Sequence, residues 1–294
     1  GSRGAEHRAA GDRRGAACGR CPLTRGQLLL ARIAIVFGVA AVATAIARGI
    51  TLRAKEDAED YESYRLPTSL KPVSYLVRWA PRFEAPLTFT GSVDIVVEVA
   101  EETEEVVLHS AGLEIGSVHY TLTDASGQPV VSTDDDDSGP TEIDMSRVEF
   151  HDEQETMQFR LPEELEVGEF FMLTFTFSAP LGQDMNGLYV STYNYTDPTS
   201  GQTTLINMVA TQFEATYARH AFPCFDEPAF KARFALEVSN VPENFAALGN
   251  MPVDTTATAA LNDARRREEA AAGGPVRAWN STVRFLPSVP MSSY

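Results

Sequence analysis

From residue 88 to residue 99 the chain reads TFTGSVDIVVEV, and its side chains sort by parity. Phe89, Val93, Ile95, Val97 and Val99 take the odd positions with Gly91, while Thr88, Thr90, Ser92, Asp94 and Glu98 take most of the even ones. A period of two is the mark of a half-buried β-strand, because successive side chains of an extended backbone point to opposite faces. The pattern recurs at Met157, Phe159 and Leu161, at Phe171, Leu173, Phe175 and Phe177, and at Phe234, Leu236 and Val238. Strands this short, separated by Gly, Pro and Asp turns, predict a mainly β fold of sandwich-like antiparallel sheets. Two segments do not alternate. Residues 125–141 carry four consecutive aspartates at 134–137, which lack the spaced ligands and turn glycine of a calcium loop and read as a solvated loop. Residues 255–274, with RRREEAAAGG among them, read as a flexible or transiently helical excursion between strands.

A second feature bears on where such a domain sits. Residues 28–47, LLLARIAIVFGVAAVATAIA, have the length that crosses a bilayer core, and Arg32 near one end can snorkel to the interface. Ahead of and within this run stand Arg3, Arg8, Arg13, Arg14, Arg20, Arg25 and Arg32 against only Glu6 and Asp12. That asymmetry predicts a cytoplasmic amino terminus and an exported remainder, although Arg48, Arg53 and Lys55 on the far side weaken the contrast. A cleaved signal peptide competes with this reading, but its leader would be unusually long and basic. The expected organisation is a basic tail at 1–27, a transmembrane signal anchor at 28–47, a stalk at 48–60 and a β domain at 61–294. The expected protein is a single-pass type II protein of the plasma membrane or a secretory-pathway membrane, with the lipid bilayer as a partner. Sequons at Asn194-Tyr195-Thr196 and Asn280-Ser281-Thr282 make Asn194 and Asn280 glycosylation candidates. The formal charge of -17 argues against a nucleic-acid partner, since phosphate binding needs clustered Lys and Arg. Of three cysteines, Cys18 and Cys21 fall in the basic tail and Cys224 stands alone in the β region, which leaves no disulfide framework.

Metal and nucleophile chemistry leave no motif here. No two of His7, His109, His119, His151 and His220 have the four-residue spacing of a helical zinc site, and neither H-E-x-x-H nor G-x-S-x-G occurs. No catalytic residue and no metal ligand is therefore assigned, and His109 and His119 are expected to be surface or half-buried structural residues of strands. The densest polar stretch is TQFEATYARHAFPCFDEPAFKARF at 211–234. Pro223 and Pro228 fix its backbone and remove ladder donors, so its middle should be a rigid turn beside a sheet. Arg219 is expected to pair with Asp226 or Glu227, with Phe222 and Cys224 filling the core. Gln212 and Glu214, two apart on an extended approach, are expected to face the same side.

These residues carry a resemblance. The stretch YRLPTSLKPVSY, then LTFTGSVDIVVEV, MNGLYVSTY, the long string at 211–234, LGNMPV and FLPSVPMSSY together resemble the zinc aminopeptidases of the aminopeptidase N family, of gluzincin type and including membrane-anchored ectoenzymes. The resemblance covers about 61–294 and implies the family's amino-terminal, saddle-shaped β domain, which caps a thermolysin-like catalytic domain. It also implies that Gln212 and Glu214, in the TQ-x-E positions, contact the first residue of a peptide substrate. A free α-ammonium offers a carboxylate such as Glu214 a charge-assisted hydrogen bond that an internal peptide bond cannot. The family's G-A-M-E-N loop and H-E-x-x-H zinc site do not occur in this sequence, and Tyr217 stands where an acid is common in relatives. The implied activity is zinc-dependent removal of amino-terminal residues from peptides, with the chain truncated before the catalytic domain and inactive alone. The alternative is a non-catalytic, membrane-anchored protein that binds peptides, forms a homodimer or pairs with a full-length relative.

Overall fold

The computed structural model describes residues 64–130, 139–271 and 280–294. The basic tail, the apolar run at 28–47, the stalk and the aspartates at 134–137 lie outside the described residues. Among the described residues, twelve strands and one α-helix follow in chain order: β1 (Leu70–Pro81), β2 (Thr88–Val99), β3 (Thr103–His109), β4 (Glu114–Thr123), β5 (Thr141–Glu142), β6 (Glu149–His151), β7 (Thr156–Leu165), β8 (Phe170–Pro180), β9 (Gly187–Thr196), β10 (Thr203–Gln212), β11 (Arg233–Pro242), α1 (Thr255–Ala271) and β12 (Asn280–Arg284).

The fold is mainly β, and its large sheet runs β12-β11-β1-β2-β8-β4-β5. A three-stranded sheet, β3-β7-β6, supplies the second layer. The odd-numbered face of β2 is the core face, with Phe89, Val93, Ile95, Val97 and Val99 all buried. Phe171, Leu173, Phe175 and Phe177 of β8 are buried beside it, and Met157, Phe159 and Leu161 of β7 close the core from the other layer. Phe159 and Phe175 meet edge to face at 6.3 Å, a ring contact that joins the two sheets. The other face of the large sheet is polar: Arg78 reaches Asp94 at 2.8 Å, and Thr174 donates to the same carboxylate at 3.0 Å.

Three expectations change. The sheets are not wholly antiparallel, because β1 pairs in parallel with β11, from Ser74 opposite Arg233 to Trp79 opposite Val238. Strand β11 also breaks the simple alternation: Ala235, Glu237 and Val241 are its buried residues, whereas Phe234 and Leu236 are only partly buried. The excursion after β11 is a regular helix of 17 residues rather than a flexible one. Asp254 caps it, accepting from Ala257 N–H at 2.9 Å, and Asn262 binds Thr282 N–H at 2.9 Å to pin the helix to β12. No residue of α1 is buried, so capping and this side-chain tie hold it rather than core packing.

Candidate functional site

The segment after β10 divides into two parts with opposite character. Its middle, residues 221–228, is buried throughout apart from Pro228, and its polar groups are consumed locally. An antiparallel bridge joins Cys224 to His109, each N–H reaching the other's carbonyl at 3.0 Å and 2.9 Å. Phe225 N–H reaches the Tyr75 hydroxyl at 3.1 Å, and Trp79 Nε1–H reaches Ala221 O at 3.0 Å. Asp226 accepts from Arg219 Nε–H at 3.1 Å and from the Ser293 hydroxyl, while its own N–H donates to His109 Nδ1 at 3.2 Å. Glu227 binds Leu66 N–H at 2.7 Å and Arg65 at 3.0 Å.

Arg219 thus takes Asp226, as the sequence allowed, and a second acid that it did not show. Glu155 Oε2 lies 3.1 Å from Arg219 Nη1. Tyr217 does not replace an acid in this pairing; its ring instead lies 5.6 Å from that of His220. The prolines, the paired charges and the core fillers Phe222 and Cys224 together make a rigid scaffold.

Burial shapes the electrostatics here. His109 is fully buried at the end of β3, contrary to the expectation of a surface or half-buried role, and His119 on β4 is half-buried. Burial, and then the positive charge of Arg219, lower the His109 pKa to about 3. The ring is therefore neutral at ordinary pH, with Nδ1 as the acceptor its bond to Asp226 N–H requires. Burial also pushes the Cys224 thiol and the Tyr75 phenol well above their ordinary values, so neither is a ready nucleophile.

The approach to this scaffold is exposed. Strand β10 stops at Gln212 and Glu214 lies in the following turn, so the two are not consecutive same-side residues of one strand. The turn closes where Tyr217 N–H reaches Phe213 O at 2.9 Å, and Gln212 Nε2 lies 3.5 Å from Glu214 O. Between the two exposed residues, Phe213 turns inward and meets Trp79 at 6.3 Å and Phe222 at 6.0 Å, both edge to face. Among the described residues the Glu214 carboxylate has no hydrogen bond or ion pair. An open cleft of about 560 Å³ is lined by Gln212, Phe213, Trp79, Phe222, Lys231 and Tyr294 among others. Glu214 is not in that lining. Asn194 sits exposed on β9, and Asn280 begins β12.

Among the described residues, no group of three His, Cys, Asp or Glu side chains could hold a metal ion. Zinc does not fit this donor set, and no step through a metal can be drawn from it. Nor is any helix among the described residues long and apolar enough to cross a membrane.

The described residues form a mainly β domain with a buried, internally hydrogen-bonded scaffold at 221–228 and an exposed approach at Gln212 and Glu214. The chain belongs to the family of the Peptidase M1 N-terminal domain, whose model matches residues 71–294. It is 36% identical over 230 residues to Aminopeptidase M1-C of Oryza sativa subsp. japonica, covering 78% of this chain and 21% of the relative. It is 31% identical over 242 residues to Aminopeptidase Ey of Gallus gallus, covering 80% and 21%. Aminopeptidase N of Acetobacter pasteurianus is 34% identical over 215 residues, covering 71% and 53%. The chain spans about a fifth of the length of the rice and chicken relatives.

Proposed function

We propose that this domain works as the amino-terminal, substrate-pocket part of a zinc aminopeptidase that removes amino-terminal residues from peptides. The observation that carries the reading is the contrast at Gln212, Phe213 and Glu214: the middle ring is wedged among Trp79 and Phe222 while its neighbours are exposed. An exposed carboxylate with no partner among the described residues suits the free ammonium of a peptide, and the Gln212 amide adds neutral hydrogen bonds beside it. The zinc and the base acting on its water would come from residues other than the described ones. The same reading keeps 28–47 as a signal anchor, 61–294 as one β domain, and Asn194 and Asn280 as glycan acceptors on the extracellular or lumenal side.

In an active enzyme that carries this domain, Glu214→Ala should raise KM for free-amine peptides by about tenfold or more, the scale of a lost hydrogen bond to a charged group. Unchanged kinetics would remove Glu214 from the substrate site. A second reading, a non-catalytic pairing or peptide-binding protein, is favoured by the exposed Tyr193, Tyr195 and Met208. Transcript sequence beyond the Tyr294 codon separates the two. An open frame encoding H-E-x-x-H supports the enzyme, and a stop codon supports the pairing protein.

A further inference from the structure

Strand β10 has a free edge. Among the described residues, no backbone group from Thr203 to Gln212 hydrogen-bonds outside the two-stranded ribbon it forms with β9. Natural sheets blunt such an edge with a charge, a proline or a bulge, because unpaired N–H and C=O groups invite another chain to pair. This edge has none of these. TTLINMVATQ contains no Asp, Glu, Lys, Arg or Pro, and its pairing with β9 runs from Thr203 opposite Thr196 to Gln212 opposite Gly187 without a register shift.

Which groups face outward follows from the far side of β9. Gly182 N–H donates to Leu188 O and Val190 N–H donates to Gly182 O, both at 2.9 Å, so the backbone groups of Leu188 and Val190 point away from β10. Opposite residues of an antiparallel pair either exchange both hydrogen bonds or both point their groups outward. Thr211 opposes Leu188 and Val209 opposes Val190, so their N–H and C=O groups face the free edge, and alternation adds Asn207, Leu205 and Thr203. The Gln212 end of the edge is open, since Thr211 and Gln212 line the cleft of about 560 Å³. Register also sets the faces of the ribbon, because directly opposite residues share one. Tyr193 opposes Ile206, Ser191 opposes Met208, Tyr189 opposes Ala210 and Gly187 opposes Gln212, which puts the tyrosines on one face with Met208, Ala210 and Gln212.

We infer that this edge takes an extended peptide as an added antiparallel strand, running from its amino-terminal residue at Gln212 toward Thr203. This rests on the proposed function, which places the peptide's first residue at Gln212 and Glu214. Because β10 ends at Gln212, only an antiparallel strand can start there and run back along it. With residue 1 of the peptide opposite Gln212, its residues 2, 4 and 6 meet the outward groups of Thr211, Val209 and Asn207, whereas residues 3 and 5 lie beside Ala210 and Met208 on the tyrosine face. Main-chain bonds supply the affinity in strand addition and tolerate many side chains. The ligand class is thus an unfolded peptide long enough to reach Asn207, rather than a dipeptide or a folded chain end.

The test uses the whole chain and a free-amine hexapeptide of alternating alanine and serine, fluorophore-labelled at its carboxyl end, with binding read by anisotropy. Unlabelled hexapeptide should compete about tenfold or more better than the alanyl-serine dipeptide, the scale of the hydrogen bonds added along the edge. N-methylation at residue 2 or 4 should weaken competition by about tenfold, and at residue 3 or 5 by less than about twofold. Val209→Pro removes an outward donor from an edge strand, where proline is tolerated, and should weaken hexapeptide binding to a similar degree while circular dichroism shows a folded chain. Absence of hexapeptide binding, no gain with length, or N-methyl effects without that alternation would overturn the inference. So would self-association of the chain that Val209→Pro abolishes, which gives the edge to a second copy. N-acetylation separates this inference from the reading it rests on. An acetylated hexapeptide that binds equally, with the alternation intact, keeps the edge and removes the amine contact; amine dependence without alternation does the reverse.

Discussion

The scaffold at 221–228 and the ribbon of β9 and β10 lie next to each other in sequence and differ in almost every physical respect. The scaffold is rich in ionisable groups and buries them in pairs, Arg219 with Asp226 and Glu227 with Arg65. The ribbon is empty of charge and leaves Tyr193, Tyr195, Leu205 and Met208 in solvent. Polar density therefore marks structure here. Buried charge is tolerated only when it is paired, so it specifies a conformation, whereas an exposed tyrosine face has no internal reason to exist.

The sharpest way to break this comparison is to remove Asp226. Asp226→Ala leaves the Arg219 guanidinium buried with only Glu155, and should cost about 3–5 kcal/mol in urea unfolding of the chain. Tyr193→Ser on the ribbon should change the same measurement by less than about 0.5 kcal/mol. Equal effects would erase the distinction.

His109 gives a pH-dependent version. Its folded pKa of about 3 lies below the ordinary 6.5, so the neutral form is the one folding favours. The stability it contributes is fully present above pH 6.5 and is lost as pH falls through 6.5 toward 3, because only the unfolded chain takes up the proton in that window. Thermal melts should show this acid loss, up to roughly 4 kcal/mol, flattened in His109→Gln.

A smaller effect is expected where the two regions touch. Gly187 opens β9 at φ +65°, and a Cβ there would meet His220 Cβ at 3.0 Å. Gly187→Ala should destabilise by about 1–2 kcal/mol from the left-handed backbone and the tight contact. At the bottom of the scale, Glu214→Ala should leave stability within about 0.5 kcal/mol of wild type, since its carboxylate supports nothing inside the domain.

Much of this fold is legible in the chain because its core strands bury one face only. The parity of Phe89 to Val99 and of Phe171 to Phe177 reads straight through to burial. Pairing is less legible: nothing local tells Ser74 that its neighbour is Arg233 in a parallel register. The partner of Arg219 at Glu155 is hidden for the same reason, since 64 residues separate them. Phe234 and Leu236 mislead because they border an open cleft, where apolar residues are not fully covered. Helix α1 has no buried residue, so its sequence lacks the apolar stripe that announces a helix. At the site, the polar character of Gln212 and Glu214 was visible, but the end of β10 between them was not. That the tyrosines of β9 share a face with Gln212 follows only from the register of β9 against β10.

In the proposed function, Gln212 and Glu214 form the part of this domain that meets a peptide's free amino terminus. The most direct measurement is a nuclear magnetic resonance titration of the isotopically labelled chain with a tripeptide and with its N-acetyl form. Shifts are expected at Gln212, Phe213 and Glu214 with the free-amine peptide, smaller or absent shifts with the acetylated one, and loss of that difference in Glu214→Ala. Equal responses to the two peptides, or a free-amine response centred away from these residues, would contradict it.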